Sequence, residues 1–174
     1  MHERGIESAT LNDIAKVSGV PAGNIYYHFK TRDDLIAAVV DTYIADVTAM
    51  LAGLDAIGEP ADRLKALVTA LTANAGLAAK QGCPIGGICT DLSRRDDTLH
   101  QMSTALLSQL ISWIRNQFFE LGRDDADELS YAFLASYQGI ALLTHAFDNP
   151  HLMERESQRI RSWIDSLRPT TTSS

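Results

Sequence analysis

The stretch TLNDIAKVSGVPAGNIYYHFKTRDD, residues 10–34, decides the fold. Thr10 stands before Leu11-Asn12-Asp13, so its hydroxyl can cap a helix start with Asp13 in the first turn. Ile14, Ala15 and Val17 continue that helix until Ser18-Gly19-Val20-Pro21 ends it. Gly19 suits the left-handed backbone of such a turn. A second short helix is expected over residues 22–28, with Ile14, Val17, Val20, Ile25 and Phe29 forming a small core. Thr31 then caps a third helix, and Asp33 and Asp34 suit the positive end of its dipole. Two short helices around a glycine turn make the helix-turn-helix shape.

Outward from this stretch, apolar residues recur at helical rather than alternating spacing. Residues 34–57 carry Ile36, Val40, Tyr43, Val47, Met50 and Leu54 at steps of three and four. Residues 60–80 read as one helix through Leu64, Leu67, Val68, Leu71 and Ala75. Residues 97–121 carry Leu99, Met102, Leu106, Leu110, Trp113 and Ile114, with Leu107, Ile111 and Phe118 widening the stripe. Residues 126–148 carry Leu129, Phe133, Ile140, Leu143 and Phe147. Residues 151–167 carry Met153, Ile160, Trp163, Ile164 and Leu167. Gly58-Glu59-Pro60, Gly82-Cys83-Pro84, Gly122 and Asn149-Pro150 fall between these segments. The expectation is an all-α protein, with an N-terminal helix-turn-helix head over residues 1–34 and a helical bundle over 35–168. A polar tail follows over 169–174.

The 174 residues are 45% hydrophobic and 21% charged, the composition of a globular chain rather than a disordered one. No uninterrupted apolar run of about 18 residues is present, so no membrane span is expected. The polar start Met1-His2-Glu3-Arg4-Gly5 does not read as a secretory signal. With only Cys83 and Cys89, a reduced cytoplasmic setting is the expectation. The net charge of -7 argues against indiscriminate nucleic-acid binding. Most of that acidity lies beyond the head. Residues 1–34 hold Arg4, Lys16, Lys30 and Arg32 against Glu3, Glu7, Asp13, Asp33 and Asp34, one acid more than bases.

Residues 3–40 resemble the DNA-binding region of the TetR/AcrR family of transcriptional regulators. The resemblance is carried by Glu3-Arg4-Gly5, Thr10, Ile14-Ala15, Ser18-Gly19-Val20, Gly23-Asn24-Ile25-Tyr26-Tyr27-His28-Phe29, Arg32 and Leu35. The segment Gly82-Cys83-Pro84-Ile85-Gly86-Gly87 is more briefly similar to the LmrA/YxaF-like branch. The resemblance implies a regulator, in the first instance a repressor released from a palindromic operator by a small hydrophobic or aromatic ligand. It implies that Asn12, Ala22, Gly23, Asn24 and Tyr27 face bases, and that Thr10, Tyr26 and Arg32 hold the DNA backbone. His28 and the helix start at Thr31 can reach phosphates as well. The small end Pro21-Ala22-Gly23-Asn24 suits entry into a major groove, where an amide can pair with adenine. The competing reading takes Tyr26-Tyr27-His28-Phe29 as an aromatic core segment. The family also places a helix before the segment matching Glu3, and this sequence holds almost none of it. Leu11, Ile14 and Phe29 are then expected to lose cover, and DNA binding to weaken.

The resemblance further implies a homodimer built on the last two long helices. Leu134, Gln138, Ala141, Leu142, His145, Ile160 and Trp163 are the candidate interface residues. A monomeric bundle is the alternative. Met102, Trp113, Phe118, Phe133 and Tyr137 are candidates for lining an inducer pocket, because aromatics and methionine give adaptable apolar contact. Plain core packing is the alternative for each. Gly86-Gly87 reads as a bend that can move on ligand binding. Cys83 and Cys89 lie six apart, which is no zinc spacing; buried structural thiols and a redox switch both stay open. No cofactor or metal site is expected, and neither GxSxG, HExxH nor a P-loop occurs, so no enzyme is expected. The alternative function is a helical ligand-binding and dimerisation module with an incomplete DNA-binding head.

Overall fold

The computed structural model describes residues 10–168, and every regular element among them is an α-helix. The helices are α1 (Leu11–Ser18), α2 (Ala22–His28), α3 (Arg32–Leu54), α4 (Pro60–Thr72), α5 (Ala75–Gln81), α6 (Pro84–Leu92), α7 (Thr98–Glu120), α8 (Ala126–Ala146) and α9 (Pro150–Ser166). They form two compact units. One takes the chain up to Val47 together with Pro84–Leu107; the other takes Thr48–Cys83 and the chain from Ser108. The chain passes between them within α3, within α7 and after Cys83. The segment Glu3-Arg4-Gly5 of the family resemblance, the start from which the first helix is expected to be almost wholly missing, and the polar tail fall on residues 1–9 and 169–174, outside the described residues.

In the first unit, α1 starts at a capping box. The Asp13 N–H donates to Thr10 Oγ1 at 3.1 Å, and the Thr10 N–H donates to Asp13 Oδ2 at 3.2 Å. Gly19 ends the helix with φ +69°, a left-handed turn that favours glycine. Thr31 and Asp34 repeat the box at α3: the Asp34 N–H donates to Thr31 Oγ1, and Asp34 Oδ2 accepts the Thr31 and Lys30 N–H groups. Leu11, Ala15 and Ile25 make the small core of the head, with Ile14, Ala22, Phe29 and Leu35 packed on it. Val17 and Val20 do not join it, being 89% and 41% exposed. The eight-residue α1 buries the side of Leu11 and Ala15, and Val17, two residues past Ala15, projects the other way.

α3 continues the head without a linker. Its Ile36 and Val40 form a buried cluster with Ile88, Leu92 and Leu99. By length and average composition α3 is apolar enough to cross a membrane, although Asp41 and Asp46 interrupt it. Gly86 and Gly87 do not bend the chain; both lie inside α6, where Ile85, Ile88 and Leu92 at steps of three and four supply the buried side.

In the second unit, α4 packs on α9, α8 on α9, and α5 on α8 and α9. Residues 60–80 are two helices, not one. The chain breaks at Ala73-Asn74, and the Asn74 carbonyl accepts the Leu77 and Ala78 N–H groups to start α5 afresh. The break lets α5 pack on α8, where the His145 ring meets the Ala79 carbonyl, Nδ1 to O 2.9 Å. Leu106 of the first unit is fully buried, as are Leu110, Ile114, Phe118, Phe133, Met153 and Ile164 of the second. Leu143 on α8 and Phe147 just past its end, both read as core, are instead exposed; α8 buries the side of Leu129, Phe133, Tyr137, Ala141 and Thr144.

Candidate nucleic-acid interface

The two capping boxes fix the starts of α1 and α3, and α2 lies between them in sequence, burying Ile25 and leaving Asn24, Tyr26 and Tyr27 outward. Around these starts an open groove of about 410 Å³ is lined by Thr10, Leu11, Tyr26, Thr31, Arg32 and Asp33. Four of the five residues expected at phosphates, Thr10, Tyr26, Thr31 and Arg32, thus share one site. Helix N-termini present unpaired N–H groups and positive dipole ends, which favour an anion. Tyr26 is half exposed, so its hydroxyl is available. The fifth, His28, is exposed at the end of α2, with its ring edge-to-face on Tyr27 at 5.1 Å.

Asn12, Gly23, Asn24 and Tyr27, expected at base edges, are all exposed. Tyr27 at 76% exposure cannot be a core residue, which removes the aromatic-core reading for it. Phe29 of the same run does pack on the core. Ala22 is half buried and packs there too, so its methyl is shared between core and surface. Gly23 has open space where a Cβ would stand. Lys30 closes α2: its ammonium donates to the Tyr26 and Tyr27 carbonyls at 3.3 and 3.2 Å and lies 5.8 Å from the Tyr27 ring centroid.

The groove also holds acid. The Asp34 carboxyl titrates below its ordinary value because the Thr31 N–H and hydroxyl hold the charged form. Asp33 is held by Arg95, whose Nη2 and Nη1 donate to its two oxygens at 2.7 and 3.4 Å. The same guanidinium donates from Nε to Asp97 Oδ2 at 2.7 Å, and both carboxylates push its pKa up. Asp97 in turn accepts the Leu99 and His100 N–H groups at the start of α7, and it titrates low. Sequence reasoning missed Lys30 and Arg95. Lys30 is legible as a basic residue just past a helix end, whereas Arg95 is 62 residues from Asp33 and carries no local signal.

The other expected sites are only partly assembled. Leu134, Ala141 and Ile160 are buried inside their own chain, so they are not available to a partner. Their positions on the inward stripes of α8 and α9 are the reason. Trp163 and Gln138 are half buried, while Leu142 and His145 are exposed. Of the pocket candidates, Met102 packs on the Ile36–Leu99 cluster of the first unit. Phe118 and Phe133 are fully buried, and Phe118 meets Trp163 with ring centroids 5.8 Å apart. The Trp113 indole donates to Asp55 at 2.8 Å. Tyr137 donates to Cys83 Sγ at 3.6 Å, and burial pushes its pKa up. Cys89 donates to the Ser103 carbonyl at 3.2 Å; both cysteines are half buried rather than fully buried, and they form no disulfide. Among the described residues no His, Cys, Asp or Glu group of three or more is placed to hold a metal.

A capped helix-turn-helix with an exposed α2 and an anion-friendly groove beside it defines a DNA-binding protein of the all-α regulator class. The profile of bacterial regulatory proteins, tetR family, matches residues 1–39. The transcriptional regulator AcuR of Cereibacter sphaeroides is 30% identical over 155 residues, covering 80% of this chain and 68% of its own. The HTH-type transcriptional repressor DhaR of a Mycobacterium strain is 28% identical over 152 residues, covering 80% of this chain and 74% of its own. In structure, a TetR transcriptional regulator from Legionella pneumophila superposes with a TM-score of 0.82 at 18% identity, over 95% of this chain and 89% of its own. The chain belongs to the TetR family: it is a DNA-binding transcriptional regulator and not an enzyme.

Proposed function

We propose that this regulator is a cytoplasmic repressor that binds a palindromic operator as a homodimer and leaves it when a small hydrophobic or aromatic ligand binds the helical bundle. The carrying observation is the groove in which Thr10, Tyr26, Thr31 and Arg32 meet beside the exposed Asn24 and Tyr27. It provides one surface for phosphate and an adjacent helix for base edges, the two contact classes a sequence reader needs. In this reading residues 10–34 read DNA, and the helices from residue 35 carry ligand and partner. The repressor role is supported by the relative DhaR, an HTH-type transcriptional repressor.

A dimer is supported by α8, which has a second, outward side of Tyr131, Ala135, Gly139, Leu142 and Ala146. Small and apolar residues at steps of three and four let a partner helix approach. Trp113 and Tyr137 are the ligand-site residues this reading retains; each offers an apolar ring, and a guest gains the Trp113 N–H or the Tyr137 O–H only by displacing its bond to Asp55 or Cys83. Coupling runs along α3 and α7, the helices shared between the two units. Selection of genomic fragments on the immobilised full chain tests the proposal. Enrichment of a palindrome with half-sites about one helical turn apart is expected. Sequence-independent retention, or none, contradicts it and favours a ligand-binding or dimerisation module.

A further inference from the structure

We propose that Arg94, in the turn between α6 and α7, is a further phosphate-contacting residue: the Arg95–Asp33 fork pins this turn at the groove, and Arg94 extends the contact with the DNA backbone beyond the helix-turn-helix. The inference rests on the DNA-binding reading above and adds to it a cation from outside the head.

The turn belongs to the same compact unit as the head, and it is held in place there. Leu92, at the end of α6, is buried with Ile36 and Val40 of α3. The Leu92 carbonyl accepts the Arg95 N–H at 3.1 Å and stands 3.2 Å from His100 Nδ1. The Ser93 hydroxyl and N–H both donate to the Thr90 carbonyl, at 2.8 and 3.3 Å. Arg95 then reaches the start of α3, where its Nη2 and Nη1 donate to the two Asp33 oxygens at 2.7 and 3.4 Å. Asp33 lines the groove together with Thr31 and Arg32. The backbone of Arg94 is thus fixed one residue from a side chain that spans to the groove.

The other lysines and arginines described in that unit are engaged. Lys16 sits in the last turn of α1, where the helix dipole favours it. Lys30 donates to the Tyr26 and Tyr27 carbonyls. Arg32 has Asp33 at 3.9 Å, and Arg95 is shared between Asp33 and Asp97. Arg94 differs: it is exposed, and its side chain makes no ion pair or hydrogen bond with a described residue. No internal bond has to break before it meets a phosphate. A guanidinium also matches phosphate oxygens with two N–H donors at once. Because the turn is already ordered, binding freezes the side chain alone. A contact of this kind strengthens binding to every sequence alike and carries no base preference.

The test uses the full chain and the duplex recovered by genomic selection, with affinity read by fluorescence anisotropy over a range of salt and folding checked by thermal melting. R94Q should bind about 3- to 5-fold more weakly, on the selected palindrome and on its single-base variants alike. The salt slope should fall by about one phosphate contact, with the melting temperature unchanged. A scan of single neutral methylphosphonate substitutions along the duplex then locates the contact. One phosphate is expected whose neutralisation weakens the unaltered chain and leaves R94Q unaffected. Unchanged affinity and salt slope in R94Q overturn the proposal. So does a loss with no such phosphate, which is the effect of overall charge rather than of a contact. A loss confined to some base variants, or a lowered melting temperature, assigns Arg94 to base reading or to the fold and overturns it as well. If the unaltered chain retains no duplex in the selection, the DNA-binding reading itself fails and this inference falls with it.

Discussion

Asn24 and Arg32 divide the work of the interface. Asn24 is exposed on α2 and carries an amide suited to an adenine edge, whereas Arg32 lines the groove at the start of α3. The expected outcome is that Asn24→Ala changes which duplexes are preferred. Arg32→Ala should weaken binding to all duplexes and lower the salt slope by about one phosphate contact. Competition binding against a set of operator variants at two salt concentrations checks both; equal losses on every duplex from both changes would sink the division. At this scale the sequence was informative where chemistry is local. Thr10 with Asp13, Thr31 with Asp34, and Gly19 each announce themselves within four residues. Arg95 with Asp33 does not, because a contact across 62 residues exists only once the fold has formed. Val17 looked like core by type, yet helix phase turns it to solvent.

At the scale of elements, helix phase separates what α8 packs from what it offers. Leu134 and Leu142 are eight residues apart, but only Leu134 is buried in its own chain, and Leu142 is 65% exposed. Leu134→Ala should therefore cost about 2–5 kcal/mol of stability in denaturant titration while leaving the assembly state unchanged. Leu142→Glu should give a folded monomer in analytical ultracentrifugation; a dimer that persists would place the partner surface elsewhere. Periodicity located α3, α7, α8 and α9 to within two or three residues at either end, because long amphipathic segments repeat their signal. It failed on short ones. Nothing apolar marks the break at Ala73-Asn74, which is set by where α5 must pack. Gly86-Gly87 suggested a bend, although Ile85, Ile88 and Leu92 carry enough apolar side to keep α6 helical.

On the scale of the whole molecule, the net charge of -7 first looked like an objection to DNA binding. It becomes a statement about selectivity. The described head neutralises its acids locally or through Arg95, and most of the remaining acidity lies beyond residue 34 in sequence. A molecule built this way gains little from indiscriminate contact with polyanions, so its affinity must come from placed contacts on a matching site. Binding isotherms of the full chain on the selected palindrome and on a scrambled duplex of the same composition, at physiological salt, test this most directly. The account predicts at least about 10³-fold tighter binding to the palindrome. Equal affinity for the two duplexes would contradict it.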